Sequence, residues 1–334
     1  MLFILVSSII AQVSEWDGPV PQIADELAFF ADKFNDYTVI LEPDEDAPEW
    51  WAGAPSVIRD DEGVFWMACR MRSPKYPRGL RGYEIRILKS NDGIHFENVI
   101  GIKKEDIPIR GFERPALVIN PETKKFMLYV CGPWKKEPWC IAKFDDVDNP
   151  VKINLSTVKP VIRAPSRKYE RDVSVKEYKD PFIFCDRGKF HCYVIGYIRG
   201  NERIFHFEST DGDIWKSVGD VNHPVMDLQG WHNFFVRPAS VLPLGIGYLF
   251  IYEGSSTQWY DPVYNIGTGF GFTFDLNNII DLTTASPLVL SSTPGDFHTF
   301  RYSHWMWVNG EIWVYAEVSR KNNSHEIRLF RIKI

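Results

Sequence analysis

The feature that most constrains this chain is a pattern that recurs five times over most of its 334 residues. Each copy opens with an apolar run after a proline or serine, passes through a turn into an aromatic-rich segment, and ends in a third extended segment. The openings begin at Ala54, Arg114, Asp180, Arg237 and Tyr302, which are 60, 66, 57 and 65 residues apart. Repeats of this length indicate a fold built from equivalent units.

Each unit has the pattern of an antiparallel meander of short strands. The clearest turn is Asn309-Gly310, between apolar runs at 305–308 and 312–318. Asn-Gly in this setting is a strong signal for a two-residue hairpin. A unit of about 60 residues, with three visible strands and room for a fourth, is typical of a propeller blade. The sequence therefore predicts an all-β, five-bladed β-propeller of four-stranded antiparallel blades.

Closure of such a propeller requires a strand from the N-terminal side, because the chain ends after the third strand of the fifth unit. We expect residues 37–41 to supply it and so to cover an open sheet edge. Residues 22–34 have the pattern of a short amphipathic helix. The predicted organisation is a lead-in segment, 1–36, and a single propeller domain, 37–334.

The first eleven residues are apolar like the core of a signal peptide, but no basic residue precedes that core. Secretion and a cytoplasmic location therefore both stay open.

Composition narrows the function classes. The net charge of −6 and the absence of a basic stripe argue against a nucleic-acid partner. The five cysteines include no CxxC pair, and several lie in apolar runs, so we interpret them as core thiols and expect no metal. No cofactor motif or membrane-spanning segment is present in the sequence. An aromatic content of 15% suits both strands and sugar-stacking surfaces.

The repeat also predicts where a site lies. In a propeller the first strands surround the axis, so the unit openings and the ends of the second strands converge there. Burying charges without partners costs several kcal/mol each. The cluster at this pole is therefore either a set of ion pairs between units or a functional site. Its members are Arg70, Arg72, Glu113, Arg114, Asp180, Arg237, Glu253, Tyr302 and Glu317.

Three sets of motifs give the chain a family resemblance. They are the Lys-Asp-Pro opening at 179–181 with the following run 188–193, the Ser-x-Asp-Gly hairpins at 90–93 and 209–212, and the Gly-Phe-Glu-Arg-Pro run at 111–115. Over residues 45–334 the chain resembles the five-bladed propeller glycosidases, the superfamily around glycoside hydrolase families 43, 62, 32, 117 and 130. The resemblance implies glycoside hydrolysis with inversion at the anomeric carbon.

The chain departs from these families at two positions. Ala54 stands where arabinanase-type family 43 enzymes have an aspartate base, and Arg114 stands where family 130 has its acid. Because glycoside hydrolysis uses two carboxyl groups, we predict Asp180 as one catalytic carboxyl group. Glu253 is the favoured second group, with Glu113 as the alternative and Glu317 as a further substitute.

Substrate binding is assigned to residues of the same pole. Guanidinium groups bind carboxylate, sulfate or phosphate through paired hydrogen bonds, so an anionic carbohydrate or a phosphate cosubstrate is a candidate ligand. The predicted binding residues are Arg70, Arg72, Arg114, Arg237, Tyr302, His304, Glu317 and Trp51. The alternatives to a hydrolase are a phosphate-dependent glycoside phosphorylase and a carbohydrate-binding propeller without catalysis.

Overall fold

The computed structural model describes residues 18–135, 138–164, 174–220 and 222–333. The predicted signal-like start, 1–11, lies outside these residues. The predicted helix is present in three short pieces, α1 (Ala28–Ala31) between the 3₁₀ turns Asp25–Leu27 and Asp32–Phe34. Two further 3₁₀ turns occur at Pro150–Lys152 and Leu155–Thr157. Among the described residues, no helix has the length and apolar character needed to cross a membrane.

The rest of the described chain forms strands, grouped as the repeat predicts. One strand precedes the repeats, β1 (Thr38–Leu41). The first unit holds β2 (Trp51–Arg59), β3 (Phe65–Arg72), β4 (Gly82–Ser90) and β5 (Glu97–Lys103). The second holds β6 (Ala116–Ile119), β7 (Phe126–Pro133), β8 (Trp139–Lys143) and β9 (Lys159–Ile162). The third holds β10 (Tyr178–Asp186), β11 (Lys189–Ile198), β12 (Asn201–Ser209) and β13 (Lys216–Ser217). The fourth holds β14 (Phe235–Pro243), β15 (Tyr248–Ser255), β16 (Gly267–Thr273) and β17 (Ile280–Asp281). The fifth holds β18 (Phe300–Val308), β19 (Glu311–Ser319) and β20 (His325–Ile332).

Pairing follows chain order within each unit. The second, third and fourth units are four-stranded antiparallel sheets. The remaining strands form one eight-stranded sheet, in which β20 pairs with β2 through Trp51 and His325. In that sheet β1 also pairs antiparallel with β20. The Asn309-Gly310 turn has positive φ at both residues, 51° and 85°, as a type I′ hairpin requires.

The first strands of the units contact one another in chain order, and β18 contacts β2 in turn. Serines at matching positions join them. Ser56 Oγ accepts a hydrogen bond from the Leu117 N–H at 2.9 Å, and Ser240 Oγ accepts one from the Trp305 N–H at 3.1 Å. This packing brings the five unit openings to one end of the molecule.

The Ser-x-Asp-Gly hairpins hold neighbouring units together. Ser90 Oγ accepts the Gly93 N–H, and the Gly93 carbonyl accepts the Tyr315 hydroxyl at 2.7 Å. In the third unit the Gly212 carbonyl accepts the Tyr129 hydroxyl at the same distance. Both glycines have φ of 75°, and a Cβ at either would lie within 3 Å of the neighbouring tyrosine hydroxyl. The motif therefore positions sheets and takes no direct part in the site.

Candidate active site

Three unit openings share an unusual backbone conformation. Ala54, Asp180 and Tyr302 have φ of 53°, 54° and 51°, the left-handed region that residues with a Cβ seldom adopt. Each lies at a shift in pairing register, within β2, β10 and β18 respectively. These residues were predicted at strand starts, but they lie inside longer strands because the bulge lets pairing continue on both sides. A bulge turns a side chain out of the sheet's alternation, and strain of this kind clusters at functional sites.

A cavity of about 200 Å³ opens at this end of the molecule. Residues from all five units line it, among them two of the bulge residues. The lining residues are Arg72, Arg78, Gly79, Glu113, Trp139, Lys179, Asp180, Glu202, Arg237, Val263, Tyr264, Arg301 and Tyr302. Of the predicted site residues, the cavity brings together Arg72, Glu113, Asp180, Arg237 and Tyr302.

Asp180 is a buried carboxyl group at the cavity wall, only 3% exposed. Its Oδ2 accepts a hydrogen bond from the Tyr302 hydroxyl at 2.9 Å, and its Oδ1 accepts one from the Arg114 N–H at 3.3 Å. Burial raises the pKa of Asp180, and the negative charge of Glu113 adds to the rise. The environment therefore favours the protonated acid.

Glu113 is held in the opposite state. Burial alone would raise the pKa of Glu113, but the charges of Arg70, Arg72 and Arg301 outweigh it and lower the pKa. The Arg70 guanidinium donates directly to Glu113. Two carboxyl groups on one cavity thus have pKa values shifted in opposite directions, which is how acid and base roles are divided in many active sites.

Glu253 lies outside the cavity lining. It is fully buried, and its Oε1 accepts the Tyr302 N–H, while no described group bonds its Oε2. Burial raises the pKa of Glu253 to about 7, despite the nearby charges of Arg114 and Arg237. The structure therefore separates Glu253, the favoured second carboxyl group, from the cavity that holds Asp180.

Three residues of the predicted cluster are bonded to other groups of the protein. The Arg114 guanidinium donates to the carbonyls of Pro238 and Ala239, at 2.9 and 2.6 Å. Arg70 bridges Glu113 and Glu317, with its bond to Glu317 at 3.0 Å. Glu317 also accepts a hydrogen bond from Arg301. Burial alone would raise the pKa of Glu317, but the charges of Arg301 and Arg70 outweigh it, so this pKa lies far below its usual range. None of the three lines the cavity.

Trp51 and His304 are also outside the cavity lining. The Trp51 ring is 2% exposed and stacks on His325 with centroids 4.0 Å apart. The Nδ1 of His304 lies 3.5 Å from the Val57 N–H, which donates to it. Burial lowers the pKa of His304 to about 3, so this imidazole is neutral at pH 7.

Among the described residues that line the cavity, cations outnumber carboxyl groups. The cations are Arg72, Arg78, Lys179, Arg237 and Arg301, and the carboxyl groups are Glu113, Asp180 and Glu202. Glu202 accepts Lys179 and Arg237, each at 2.5 Å. Burial opposes ionisation of Glu202, but these two cations lower its pKa to about 2.

Sequence reasoning missed six cavity residues with chemically active or aromatic side chains: Arg78, Trp139, Lys179, Glu202, Tyr264 and Arg301. Two of them had a signal, because Lys179 and Arg301 directly precede the openings Asp180 and Tyr302. Arg78 and Tyr264 lie in connections between strands, which the repeat does not align.

One cluster away from the cavity has a ligand set suited to a metal. His191, His206 and Glu208 lie on the paired strands β11 and β12, with their ligand atoms within 4.8 Å of one another. His191 Nδ1 is 3.0 Å from His206 Nε2 and 3.7 Å from Glu208 Oε1. Two imidazoles and a carboxylate are a known zinc ligand set. The Lys189 ammonium, 2.8 Å from Glu208 Oε2, competes for that carboxylate.

Comparison with solved structures identifies the fold. A structure titled glycoside hydrolase matches with a TM-score of 0.65 at 13% identity, covering 94% of this chain and 96% of its own. A glycosyl hydrolase from Bacteroides ovatus matches at 0.63 and 11% identity, covering 93% of each chain. The β-1,2-mannobiose phosphorylase from Listeria innocua, in complex with β-1,2-mannobiose, matches at 0.62 and 14%, covering 88% and 94%. The predicted resemblance to this superfamily is confirmed as a shared fold.

Neither the family models nor the curated proteins compared with this sequence gave a match.

Proposed function

We propose that this protein is a glycoside hydrolase whose five units form one closed five-bladed propeller, residues 37–334. The cyclic contacts of the first strands and the pairing of β1 with β20 support the closed arrangement. The shared fold with glycoside hydrolases and a phosphorylase supports a carbohydrate substrate.

The observation that carries the proposal is that two carboxyl groups, Asp180 and Glu113, line one cavity, and the opposite directions of their pKa shifts support different roles for them. In the proposed reaction Asp180 gives its proton to the glycosidic oxygen as the C–O bond breaks. Glu113 takes a proton from the water that adds its oxygen to the anomeric carbon. One carboxyl group thus acts as acid and the other as base. Inversion, which the resemblance implies, needs a separation of about 6.5–9.5 Å to admit that water.

The charge of the cavity supports a negatively charged carbohydrate. In the described part of the lining, five cationic side chains face three carboxyl groups, and protonation of Asp180 leaves a larger positive excess. Trp139 and Tyr264 add aromatic surface of the kind that packs on sugar rings. A uronate-bearing or sulfated glycan fits this lining better than a neutral one.

The test is a glycan panel, neutral and anionic, incubated with the protein with and without inorganic phosphate. We expect reducing sugar to be released without phosphate. Asp180→Asn and Glu113→Gln are each expected to lower kcat by about 100-fold or more, while Glu253→Gln, outside the cavity, retains most activity.

Two outcomes would replace the proposal. Formation of a sugar 1-phosphate only when phosphate is present identifies a phosphorylase. Binding without turnover across the panel, unchanged in Asp180→Asn and Glu113→Gln, identifies a carbohydrate-binding propeller. Loss of turnover in Glu253→Gln alone would return the second catalytic role to that residue.

A further inference from the structure

We propose that one end of the cavity is a subsite for the carboxylate of a uronic acid, formed by Arg72, Arg78 and the hydroxyl of Tyr264. This inference rests on the proposed function, because it names the substrate group that the same cavity holds. Two arginines that the sequence predicts for substrate binding, Arg70 and Arg114, do not belong to this subsite, because they are already bonded within the protein.

Arg72 is the central observation. Arg72 is 5% exposed and lines the cavity, yet no described residue forms a hydrogen bond or ion pair with its side chain. Its Nε is buried without a partner. The guanidinium carbon lies 3.9 Å from the centre of the Trp51 ring, which supports the flat face of the group and leaves its edge for hydrogen bonding. A buried guanidinium without an anion is unfavourable, so its partner is expected to arrive with a ligand.

Two more donors without a described protein partner lie near Arg72, one buried and one exposed. The hydroxyl of Tyr264 is buried and has no hydrogen-bond partner among the described residues. The Tyr264 ring packs edge-on against Trp51, with centroids 5.7 Å apart. The exposed Arg78 guanidinium lies 4.8 Å from the centre of the Tyr264 ring, and it too has no carboxylate partner in the described part of the chain. Trp51 and Tyr264 thus connect the three donors into one wall.

The other described cations of the cavity do have carboxylate partners. Lys179 and Arg237 are bonded to Glu202, and Arg301 is bonded to Glu317. The unpaired positive charge is therefore concentrated at the Arg72 end. A guanidinium offers a planar fork of N–H groups that matches the two oxygens of a carboxylate. Because Asp180 and Glu113 line the same cavity, an anion on the sugar itself would place that sugar beside both carboxyl groups.

The experiment measures binding to the Asp180→Asn protein by calorimetry, which separates recognition from turnover. The probes are oligogalacturonate, the same oligosaccharide after chemical reduction of its carboxyl groups, a sulfated galactan oligosaccharide and inorganic phosphate. Arg72→Met is the test substitution. Arg187→Met is the control, since Arg187 is a largely exposed residue in the turn at the far end of the third unit.

We expect carboxyl reduction and Arg72→Met each to weaken binding of oligogalacturonate by about tenfold to a hundredfold, the range for hydrogen bonds to a charged group. Arg187→Met should leave it unchanged. Equal affinity for the carboxylated and reduced forms, or no effect of Arg72→Met in a folded protein, overturns the subsite. Arg72-dependent binding of only the sulfated probe or only phosphate overturns the assignment to a carboxylate.

The outcomes also separate this inference from the proposed function. Carboxylate-selective, Arg72-dependent binding without turnover of any glycan leaves the subsite standing and refutes the hydrolase. Hydrolysis of neutral glycans that is insensitive to Arg72→Met refutes the subsite and leaves the hydrolase standing.

Discussion

Replacing Arg72 with methionine is expected to stabilise the ligand-free protein while weakening its binding of an anionic sugar. Burial lowers the pKa of Arg72 to about 10, with the charges of Arg70 and Arg301 adding to the fall against the attraction of Glu113. An exposed arginine has a pKa of about 12.5. Since one pKa unit corresponds to about 1.4 kcal/mol, the buried charge costs the fold about 3 kcal/mol at neutral pH.

Arg72→Met removes this cost, but it also removes a favourable contact. The cation–π contact with Trp51 is worth about 0.5–2 kcal/mol. Methionine keeps a long, unbranched chain and a favourable sulfur contact with the ring, so the net stabilisation expected is about 1–3 kcal/mol.

The sign of the pH dependence follows from the lowered pKa. Below about pH 10 the folded protein carries the full penalty of the Arg72 charge. As the pH rises through that pKa the folded state releases a proton that the unfolded state keeps, so the penalty is relieved. The advantage of Arg72→Met should therefore be constant from pH 6 to 9 and shrink above pH 10.

The assay is urea denaturation at pH 7 of the parent, Arg72→Met and the control Arg187→Met, with midpoints compared at equal slopes. A free energy of unfolding lowered by more than about 1 kcal/mol in Arg72→Met would refute the reasoning, because it would mean that the guanidinium has a stabilising partner. An unchanged value in Arg187→Met is required for the comparison to count.

Three further predictions concern other titratable groups. The pH profile of kcat/KM should be bell-shaped, rising as Glu113 ionises and falling as Asp180 ionises, and Glu113→Gln should remove the acid limb. Burial raises the pKa of Glu253 to about 7, so above about pH 4.5 the folded state holds a proton that the unfolded state loses. The free energy of unfolding should therefore fall by about 3 kcal/mol between pH 4.5 and 7. Glu253→Gln should abolish that fall in a series of urea denaturations. Zn²⁺ bound by His206 and Glu208 should raise the Tm of chelator-treated protein, and His206→Gln should remove that rise. An equal rise of Tm in the variant would exclude this cluster as the zinc site.

The repeat predicted the strands well because each unit carries local signals of its own. Turns such as Asn309-Gly310 and the Ser-x-Asp-Gly hairpins fix short-range geometry that can be read from neighbouring residues. The place of Asp180 in the cavity lining was also predictable, since the first strands of the units contact one another in chain order. What the pattern could not show was that the strands begin before these openings and pass through them by a bulge.

The fate of each arginine was beyond sequence reasoning for a physical reason. Arg70 and Arg72 lie two residues apart at the end of β3, yet among the described residues Arg70 is bonded to two carboxylates and Arg72 to none. The difference depends on Glu317, which reaches Arg70 from the fifth unit, across a separation of 247 residues. Partners in a propeller come from units far apart in sequence, so equivalent positions do not have equivalent electrostatics.

At the opening of the first unit, where the residue is Ala54, a carboxylate comes from another unit. The N–H of Ala54 donates to Glu317 Oε2 at 3.0 Å, and a Cβ on Gly53 would lie 1.8 Å from the same oxygen. Glycine and alanine at this opening therefore make room for a carboxylate supplied by the fifth unit. The bonds of Glu317 to Arg70 and Arg301 and its strongly lowered pKa keep this carboxylate ionised. Since the same Arg70 lowers the pKa of Glu113, the carboxylate at the alanine opening is linked through one arginine to the residue we propose as the base.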